Sequence, residues 1–311
     1  MTDRVSFCIL AHGDAAMLRR LCGRLAPHPV HVHIDAKSTA LSLDEVAAIP
    51  NVVTAISEVE VHWAHFSMVR AAFLLLKQAQ RVTPDGHTLL LSGSCYPIVP
   101  VERLVQHLAH HKDEDLIQLI RVTPESQLHR LVARKWRMHP FLSTAMRTRF
   151  PLAAKADDFA SRLHNAVTRR LGRDFVQEVG GRALHHGSSW WALSPASRDY
   201  LLDLWRRQPE WFAAFESVYA VDEVFVHTLL ANGERQGHQV GPTRDLGLET
   251  IYDAPLHHVY HGNGRSVQDS PDTRETLRRS DKFFVRKVSS KDAPLLDWID
   301  QRADDPQVAS A

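Results

Sequence analysis

Cysteine is scarce in this 311-residue chain, and no charge sign dominates it. The cysteines Cys8, Cys22 and Cys95 are too few, and odd in number, for a disulfide framework, which favours a reducing compartment. Lysine and arginine total 37 against 36 acidic residues, so the net charge of +1 gives no indication of a nucleic-acid partner. Any anion-binding site must therefore be local.

Long apolar runs, repeats and linkers are also missing. The first apolar run, "VSFCILAH" at 5–12, is too short for a signal peptide or a membrane span and predicts a buried β-strand instead. We expect one α/β domain over residues 1–303, followed by a disordered tail at 304–311. The expected location is cytoplasmic, and peripheral association with the inner face of a membrane is compatible with this composition.

Strand and helix patterns alternate along the N-terminal half, which predicts a mostly parallel sheet covered by helices on both faces. Asp14 is the expected N-cap of the first helix, and Pro195 the first residue of a later one. The predicted strands are 5–12, 30–35, 51–56, 87–93, 115–121, 188–194 and 282–288. The predicted helices are 14–26, 42–49, 66–81, 101–111, 156–171, 195–207, 221–232 and 293–303.

Two motifs are compatible with a bound metal. His31, His33 and Asp35 alternate along one strand and so share a face, where they could ligate zinc in a metallohydrolase or simply line a strand end that binds a ligand. The acidic run Asp113-Glu114-Asp115 could hold a divalent cation, but a solvated turn is the simpler explanation.

Three further stretches carry residues suited to a ligand site. "SGSC" at 92–95 follows a buried strand, and its glycine permits close backbone approach, whereas no histidine can be placed beside the Cys95 thiol from sequence. Trp190 and Trp191 should face opposite sides of a strand, so that either one lies at a sugar face or both pack in the core. Asp222 and Glu223 begin a helix, where they either stabilise its dipole or supply a general base.

The run "FFVRKV" near the C-terminus places two cations, Arg286 and Lys287, side by side without an adjacent carboxylate. Neighbouring like charges repel, so the pair indicates an anionic ligand.

Taken in order, seven motifs resemble the family of the core-2/I-branching β-1,6-N-acetylglucosaminyltransferases and the peptide O-xylosyltransferases. They span about residues 5–290 and read "VHVHIDAKS", "HWAHFSMVRAAFLLL", "LLLSGSCYPI", "HHGSSWWALS", "VDEVFVHTLL", "HGNGRSV" and "FFVRKV". The resemblance implies a GT-A type nucleotide-sugar fold and an inverting transfer from a UDP-sugar. It also implies that no divalent metal is needed, because basic side chains take the charge of the diphosphate.

The resemblance assigns roles to particular residues. Arg265, Arg286 and Lys287 match the family's diphosphate-binding cations, and Glu223 of "VDE" matches its general base. Ser189 stands where the xylosyltransferases carry an aspartate, and serine cannot serve as a base without its own activator. The nucleoside and donor pocket is expected to include His12, Asp35, Trp63, Ser92, Gly93 and Cys95. The acceptor side is expected to include Ser188, Ser189, Trp190, Trp191 and Asp222.

One departure leaves the donor sugar open. Cys95 replaces an aspartate that lies near the donor sugar in the family, which puts the donor's identity in doubt. UDP-GlcNAc is the first candidate, because Glu223 matches the base of the N-acetylglucosaminyltransferases, and UDP-xylose is the second. A glycan or lipid-linked glycan acceptor, in surface-polysaccharide synthesis, is expected. The basic segment 133–150 could hold such an acceptor, contact a partner subunit or be a surface excursion. The remaining alternative is a non-catalytic glycan-binding module, and the sequence indicates no oligomeric state.

Overall fold

The computed structural model describes residues 5–126, 128–132, 136, 142, 144–168, 175–233, 254–259 and 267–304. The strands in these residues are β1 (Ser6–Ala11), β2 (Val30–Ile34), β3 (Val52–Ile56), β4 (Thr88–Ser92), β5 (Tyr96–Pro97), β6 (Ile120–Arg121), β7 (His185–His186), β8 (Ala192–Leu193), β9 (His257–Val259) and β10 (Phe284–Arg286). The helices are α1 (Ala15–Arg24), α2 (Leu43–Ala47), α3 (Phe66–Val82), α4 (Val101–His110), α5 (His129–Val132), α6 (Thr144–Arg149), α7 (Pro151–Thr168), α8 (Phe175–Glu178), α9 (Pro195–Arg207), α10 (Pro209–Phe215), α11 (Phe225–Ala231), α12 (Pro271–Arg279) and α13 (Ala293–Ala303).

A five-stranded sheet forms the centre, in the order β3-β2-β1-β4-β8. The first four strands are parallel, and β8 runs antiparallel to β4. Every residue of β1 is buried, as expected for a strand covered on both faces. The predicted fold class, an α/β fold with a mostly parallel mixed sheet flanked by helices, is confirmed.

The two faces of the sheet pack against different apolar layers. Phe7 and Ile9 of β1 belong to a core with α1, α4 and α13, whereas Cys8 and Leu10 face α3, α9 and α11. The second layer is aromatic. Phe73 of α3 stacks on Trp205 at 4.6 Å between ring centroids, and α3 therefore buries the face that its apolar stripe predicts.

A second, three-stranded sheet sets β10 between β5 and β9. Since β5 follows β4 almost directly, β10 lies against the loop that leaves β4. The amide of Val288 donates to the carbonyl oxygen of Ser94 at 3.0 Å. This contact brings the segment of Arg286 and Lys287 to the carboxyl edge of the central sheet.

Most of the predicted elements are present, with four corrections. Residues 115–121 form only a bridge at Leu116 and the short strand β6, and 188–194 contain only β8. The helix predicted at 156–171 begins at Pro151 instead. The one predicted at 221–232 is a 3₁₀ turn, Val221–Glu223, followed by α11.

The caps follow the predictions. Asp14 accepts a hydrogen bond from the Met17 amide at 3.1 Å, and Pro195 is the first residue of α9. Among the helices that the structure describes, none has the length and apolar character needed to cross a bilayer. Residues 305–311 of the predicted tail lie outside the described part, and the domain boundaries remain a prediction.

Candidate functional site

The loops that follow β1, β2 and β4 meet at the carboxyl edge of the sheet. The amide of Asp35 donates to the Ala11 carbonyl at 2.8 Å, and that of Gly93 donates to Leu10 at 3.0 Å. His12 is exposed at this edge, as expected for a strand end in an open α/β sheet. His12, Asp35 and the 92–95 loop are therefore neighbours.

The carboxylate of Asp35 is held by Lys37 and by two backbone amides. Its carboxylate lies 2.8 Å from Lys37 Nζ and accepts a hydrogen bond from the Val61 amide at 3.0 Å. Partial burial opposes ionisation, but the bonds from Lys37 and Val61 outweigh it and lower the pKa of Asp35. The carboxylate is thus charged and oriented at neutral pH.

The two histidines of the same strand have other partners. His31 lies between the hydroxyls of Ser6 and Thr54, at 3.3 and 3.0 Å, and burial lowers its pKa to about 4. His33 Nε2 accepts a hydrogen bond from the Val59 amide at 3.2 Å. Within the described ranges, no group of three His, Cys, Asp or Glu side chains is placed to hold a metal ion. The geometry does not favour the metallohydrolase interpretation.

In the acidic run at 113–115, one residue, Asp115, has a structural role. Asp113 and Glu114 are exposed, whereas Asp115 is buried. Its carboxylate accepts hydrogen bonds from the Ser194 amide at 2.7 Å and the Ser197 hydroxyl at 2.6 Å, at the start of α9. The solvated-turn interpretation is therefore wrong for Asp115, which anchors a helix terminus.

Glu223 lies at the end of the 3₁₀ turn, and its side chain is 34% exposed. Its Oε2 atom is 3.2 Å from Nε2 of the buried His186, and its carbonyl accepts a hydrogen bond from the Gly187 amide at 2.9 Å. His186 therefore holds one face of a carboxylate whose other face is open to solvent. A carboxylate held in this way is suited to accept a proton from a bound hydroxyl.

Asp222, the neighbouring carboxylate, is placed differently. Its Oδ2 accepts a hydrogen bond from the Ser189 hydroxyl at 2.7 Å, and its buried Oδ1 has no partner within the described part of the chain. Burial, followed by the charge of Glu223, raises the pKa of Asp222 to about 6. Ser188 holds the same loop, since its carbonyl lies 3.0 Å from His227 Nε2.

The "WW" pair lies inside the protein rather than on its surface. Trp190 and Trp191 are both buried, because the loop and β8 enclose them in the aromatic layer. Trp190 instead faces Arg286, whose guanidinium carbon lies 4.7 Å from its ring centroid. Of the two alternatives, burial favours the packing of both tryptophans, and their assignment to the acceptor side remains a prediction.

Trp63 is the exposed aromatic residue at the site. It is 73% exposed and meets Tyr219 edge-on at 6.1 Å, while Tyr219 lies 5.4 Å from the ring of Trp136. Tyr219 is three residues before Asp222, so this aromatic group adjoins the two carboxylates. Trp63 was predicted from the sequence to lie at the donor, whereas Tyr219, Trp136 and His186 were not predicted. Both Tyr219 and His186 lie just before a motif of the site, "VDE" and "GSSW" respectively. This closeness in sequence could have identified them as site residues.

Cys95 is buried in a cluster with a histidine that sequence reasoning could not place. Its Sγ lies 3.2 Å from His257 Nε2 and 3.3 Å from the Ser92 hydroxyl. Burial raises the pKa of Cys95 despite the nearby Arg286, and burial together with Arg286 lowers that of His257. The thiol and the imidazole are thus neutral, which argues against a nucleophilic cysteine.

The predicted diphosphate cations occupy two environments. Arg286 is half-buried between Trp190 and Cys95. Burial lowers its pKa, while the negative charges of Glu223 and Asp222 act in the opposite direction. Lys287 is exposed, and partial burial of its ammonium followed by the charge of Arg286 lowers its pKa. Arg265 lies outside the described residues, although Val267, two residues later, donates to the Lys287 carbonyl at 2.7 Å.

Comparison with protein families gives a match to the core-2/I-branching enzymes over residues 5–240, most of the chain. The chain belongs to the core-2/I-branching enzyme family. A search of curated proteins found no significant match.

Membership of the core-2/I-branching enzymes makes this protein a glycosyltransferase, which uses a nucleotide-sugar donor and a glycan acceptor. The α/β architecture agrees with the GT-A-like fold expected from the sequence. The matched range includes Asp35, Trp63, Cys95 and Glu223 but ends before Arg286. The role of Arg286 and Lys287 is therefore supported by the geometry and by the resemblance of their motif, not by the family match.

Proposed function

We propose that the protein is an inverting glycosyltransferase in which Glu223 removes the proton from the acceptor hydroxyl. The observation that carries this proposal is the half-open carboxylate of Glu223, held 3.2 Å from His186. An inverting displacement needs one base on the acceptor side and stabilisation of the leaving group on the other. Glu223 supplies the first of these requirements.

The leaving diphosphate is proposed to meet Arg286, at the end of β10, and Lys287, which follows it. Lys287 is exposed and supplies a compact charge, while Arg286 is held over Trp190 and supplies a guanidinium with several donors. The contact between Val288 and Ser94 sets this segment beside the 92–95 loop, which supports a phosphate site there. Arg265 is assigned to the same role by its motif alone. In this proposal fixed cations take the part that a divalent metal has in other transferases, so transfer proceeds without one.

Trp63 is proposed to contact a sugar ring. Its exposure next to Tyr219, close to Asp222 and Glu223, supports a place between donor and acceptor. Stacking on an exposed indole is a common way to bind the apolar face of a sugar, because the ring buries C–H groups without hiding hydroxyls.

The donor is proposed to be UDP-GlcNAc, with UDP-xylose second. Cys95 offers a neutral thiol, paired with His257, where the family places a carboxylate. In relatives the aspartate can accept a hydrogen bond from a hydroxyl of the donor sugar. The thiol of Cys95 is a weak acceptor, so the donor sugar can differ from that of those relatives. The acceptor is proposed to be a glycan or lipid-linked glycan of a surface polysaccharide.

A thermal-shift panel of UDP, UDP-GlcNAc and UDP-xylose, with EDTA present, tests the cation proposal. A ligand that binds only the folded form raises the melting temperature, so the panel ranks the donors. We expect UDP to stabilise the protein in EDTA and Lys287→Ala to weaken UDP about tenfold, as loss of one charge-assisted contact implies. The matched control is Lys112→Ala on the exposed turn after α4, which should bind UDP like the wild type.

Stabilisation that appears only when Mn²⁺ replaces EDTA would contradict the metal-free mechanism. A protein that binds UDP-sugars but neither transfers nor hydrolyses them would instead be a glycan-binding module that has kept the fold.

A further inference from the structure

Helix α7 packs against α6 through its polar side. The positions with reduced exposure along Pro151–Thr168 are small or polar, namely Ala153, Ala154, Asp157, Ser161, Asn165 and Thr168, and they share one face of the helix. Asp157 is buried and accepts a hydrogen bond from Arg147 of α6 at 2.7 Å. This face therefore packs against α6 and the residues just before it.

The opposite face is apolar and exposed. Leu152, Phe159, Leu163 and Val167 are 81%, 69%, 55% and 52% exposed, and their spacing of seven, four and four residues sets them in one stripe along the helix. A helix on the surface of a water-soluble domain has the reverse orientation, with the apolar stripe inward. We define the four residues as the α7 stripe.

Positive charge borders the stripe. Exposed Lys155 and Arg162 lie four residues before and three residues after Phe159, along one edge of it. The nearby acidic residues Asp157 and Asp158 are both paired with Arg147, at 2.7 and 2.8 Å. Three cations, Arg147, Lys155 and Arg162, face two carboxylates, so this part of the helix surface keeps a net positive charge.

The sequence that leads into α7 is also rich in basic residues. Between Glu125 and Asp157 it has seven lysines and arginines and no acidic residue: Arg130, Arg134, Lys135, Arg137, Arg147, Arg149 and Lys155. An apolar stripe bordered by basic residues is complementary to a layer that is apolar below its surface and negatively charged at its surface. A bilayer with anionic headgroups has this structure, because acyl chains accept the apolar side chains and lysine and arginine reach the headgroups.

We propose that α7 docks the protein onto an anionic lipid surface through the α7 stripe. The helix lies in the plane of the interface, with Phe159 and Leu163 in the acyl boundary and Lys155 and Arg162 at the headgroups. The proposal is independent of the sugar that the enzyme transfers and of the base that it uses.

Flotation of the full chain with vesicles tests this docking. One set contains phosphatidylcholine alone, and the other contains phosphatidylcholine mixed with phosphatidylglycerol. We expect binding to the mixed vesicles that weakens with added salt, and weak binding to phosphatidylcholine alone. The double variant Phe159→Ser/Leu163→Ser should lose about tenfold in partitioning for each side chain. Val53→Ser is the matched control, since Val53 is 52% exposed on β3, away from this helix.

A charge variant provides a second, independent readout. Lys155→Glu/Arg162→Glu keeps the stripe and should remove the preference for phosphatidylglycerol. The control is Arg103→Glu, at an exposed position of α4, which should keep that preference. Circular dichroism melting curves confirm that each variant is folded.

Three results would overturn the proposal. The first is a wild-type protein that floats with neither vesicle, and the second is a Phe159→Ser/Leu163→Ser variant that binds like the wild type. The third is a dimer in sedimentation velocity that this variant dissociates, because the stripe would then be an interface between two copies of the chain.

Discussion

At the scale of single residues, the adjacent carboxylates Asp222 and Glu223 lie in different environments. Asp222 is enclosed, paired with Ser189, and its pKa is raised to about 6. Glu223 is partly exposed and contacts His186. Paired carboxyl groups with contrasting surroundings commonly take different roles in catalysis. We infer that Asp222 shapes the site and that Glu223 meets the acceptor.

His186 is predicted to act through Glu223 as a positioning residue. His186→Phe removes the N–H that the carboxylate contacts, so kcat should fall about tenfold or more while the affinity for UDP stays unchanged. His186→Gln keeps an N–H donor and should recover part of the loss. Steady-state kinetics with a varied donor separate these effects, and an unchanged kcat for His186→Phe would remove His186 from the mechanism.

Asp222 is predicted to make stability depend on pH. Its pKa rises from the usual 3.8 to about 6 in the folded protein, so the folded state binds the proton more tightly than the unfolded chain. The resulting stabilisation is complete below about pH 4 and is lost as the pH rises through 6. Asp222→Asn has no such loss, so its stability relative to the wild type should increase from pH 4 to pH 7 by at most about 3 kcal/mol.

Urea unfolding of both proteins at the two pH values measures this difference. A difference that is the same at pH 4 and pH 7 would show that Asp222 does not titrate as the structure implies.

At the scale of elements, the loop after β7 has no room for a side chain at Gly187. A Cβ atom there would lie 2.0 Å from the Gln118 carbonyl oxygen and 2.6 Å from Cδ2 of His227. Since the first of these atoms belongs to the backbone, the clash cannot be relieved by a rotamer change. The same loop carries His186 on one side and Ser189 on the other, so its close packing fixes both partners of the carboxylates.

Gly187→Ala is therefore predicted to destabilise the protein by about 2 kcal/mol or more. Gly13→Ala is the matched control, because a Cβ at Gly13 meets nothing within 4 Å. Urea unfolding measures both variants. Equal stability of Gly187→Ala and the wild type would mean that the loop can move, and that it does not hold the site rigidly.

The long elements could be predicted from sequence, but the short ones could not. Strands β1 to β4 and helix α3 carry continuous apolar runs or stripes that identify them without tertiary context. Strands β6, β7 and β8 have two residues each, because tertiary packing rather than local pattern decides where pairing occurs. For this reason the strand predicted at 115–121 is reduced to a bridge at Leu116 and to β6.

At the scale of the whole molecule, a chain with almost no net charge has its cations placed locally. Arg286 and Lys287 come from the far end of the sequence to the loop after β4, while Glu223 approaches from the other layer. The basic border of α7 is a second local concentration. Such placement agrees with the expectation that any anion site would be local.

The residue types of the site could be predicted, but its contacts could not. Glu223, Asp222, Arg286 and Lys287 stand out in sequence because charged pairs beside apolar runs are unusual. The pairing of His186 with Glu223, or of His257 with Cys95, joins residues 37 and 162 positions apart and depends on the sheet order. The sequence left open whether Trp190 is buried, because strand alternation does not apply in a loop.

The measurement that tests the account most directly is single-turnover transfer by Glu223→Gln, with EDTA present and the donor chosen by thermal shift. Glutamine keeps the shape of the side chain but cannot accept the proton, so the rate should fall by about 10² to 10⁴ while UDP binds as in the wild type. A transfer rate comparable to that of the wild type would contradict the central claim that Glu223 is the base.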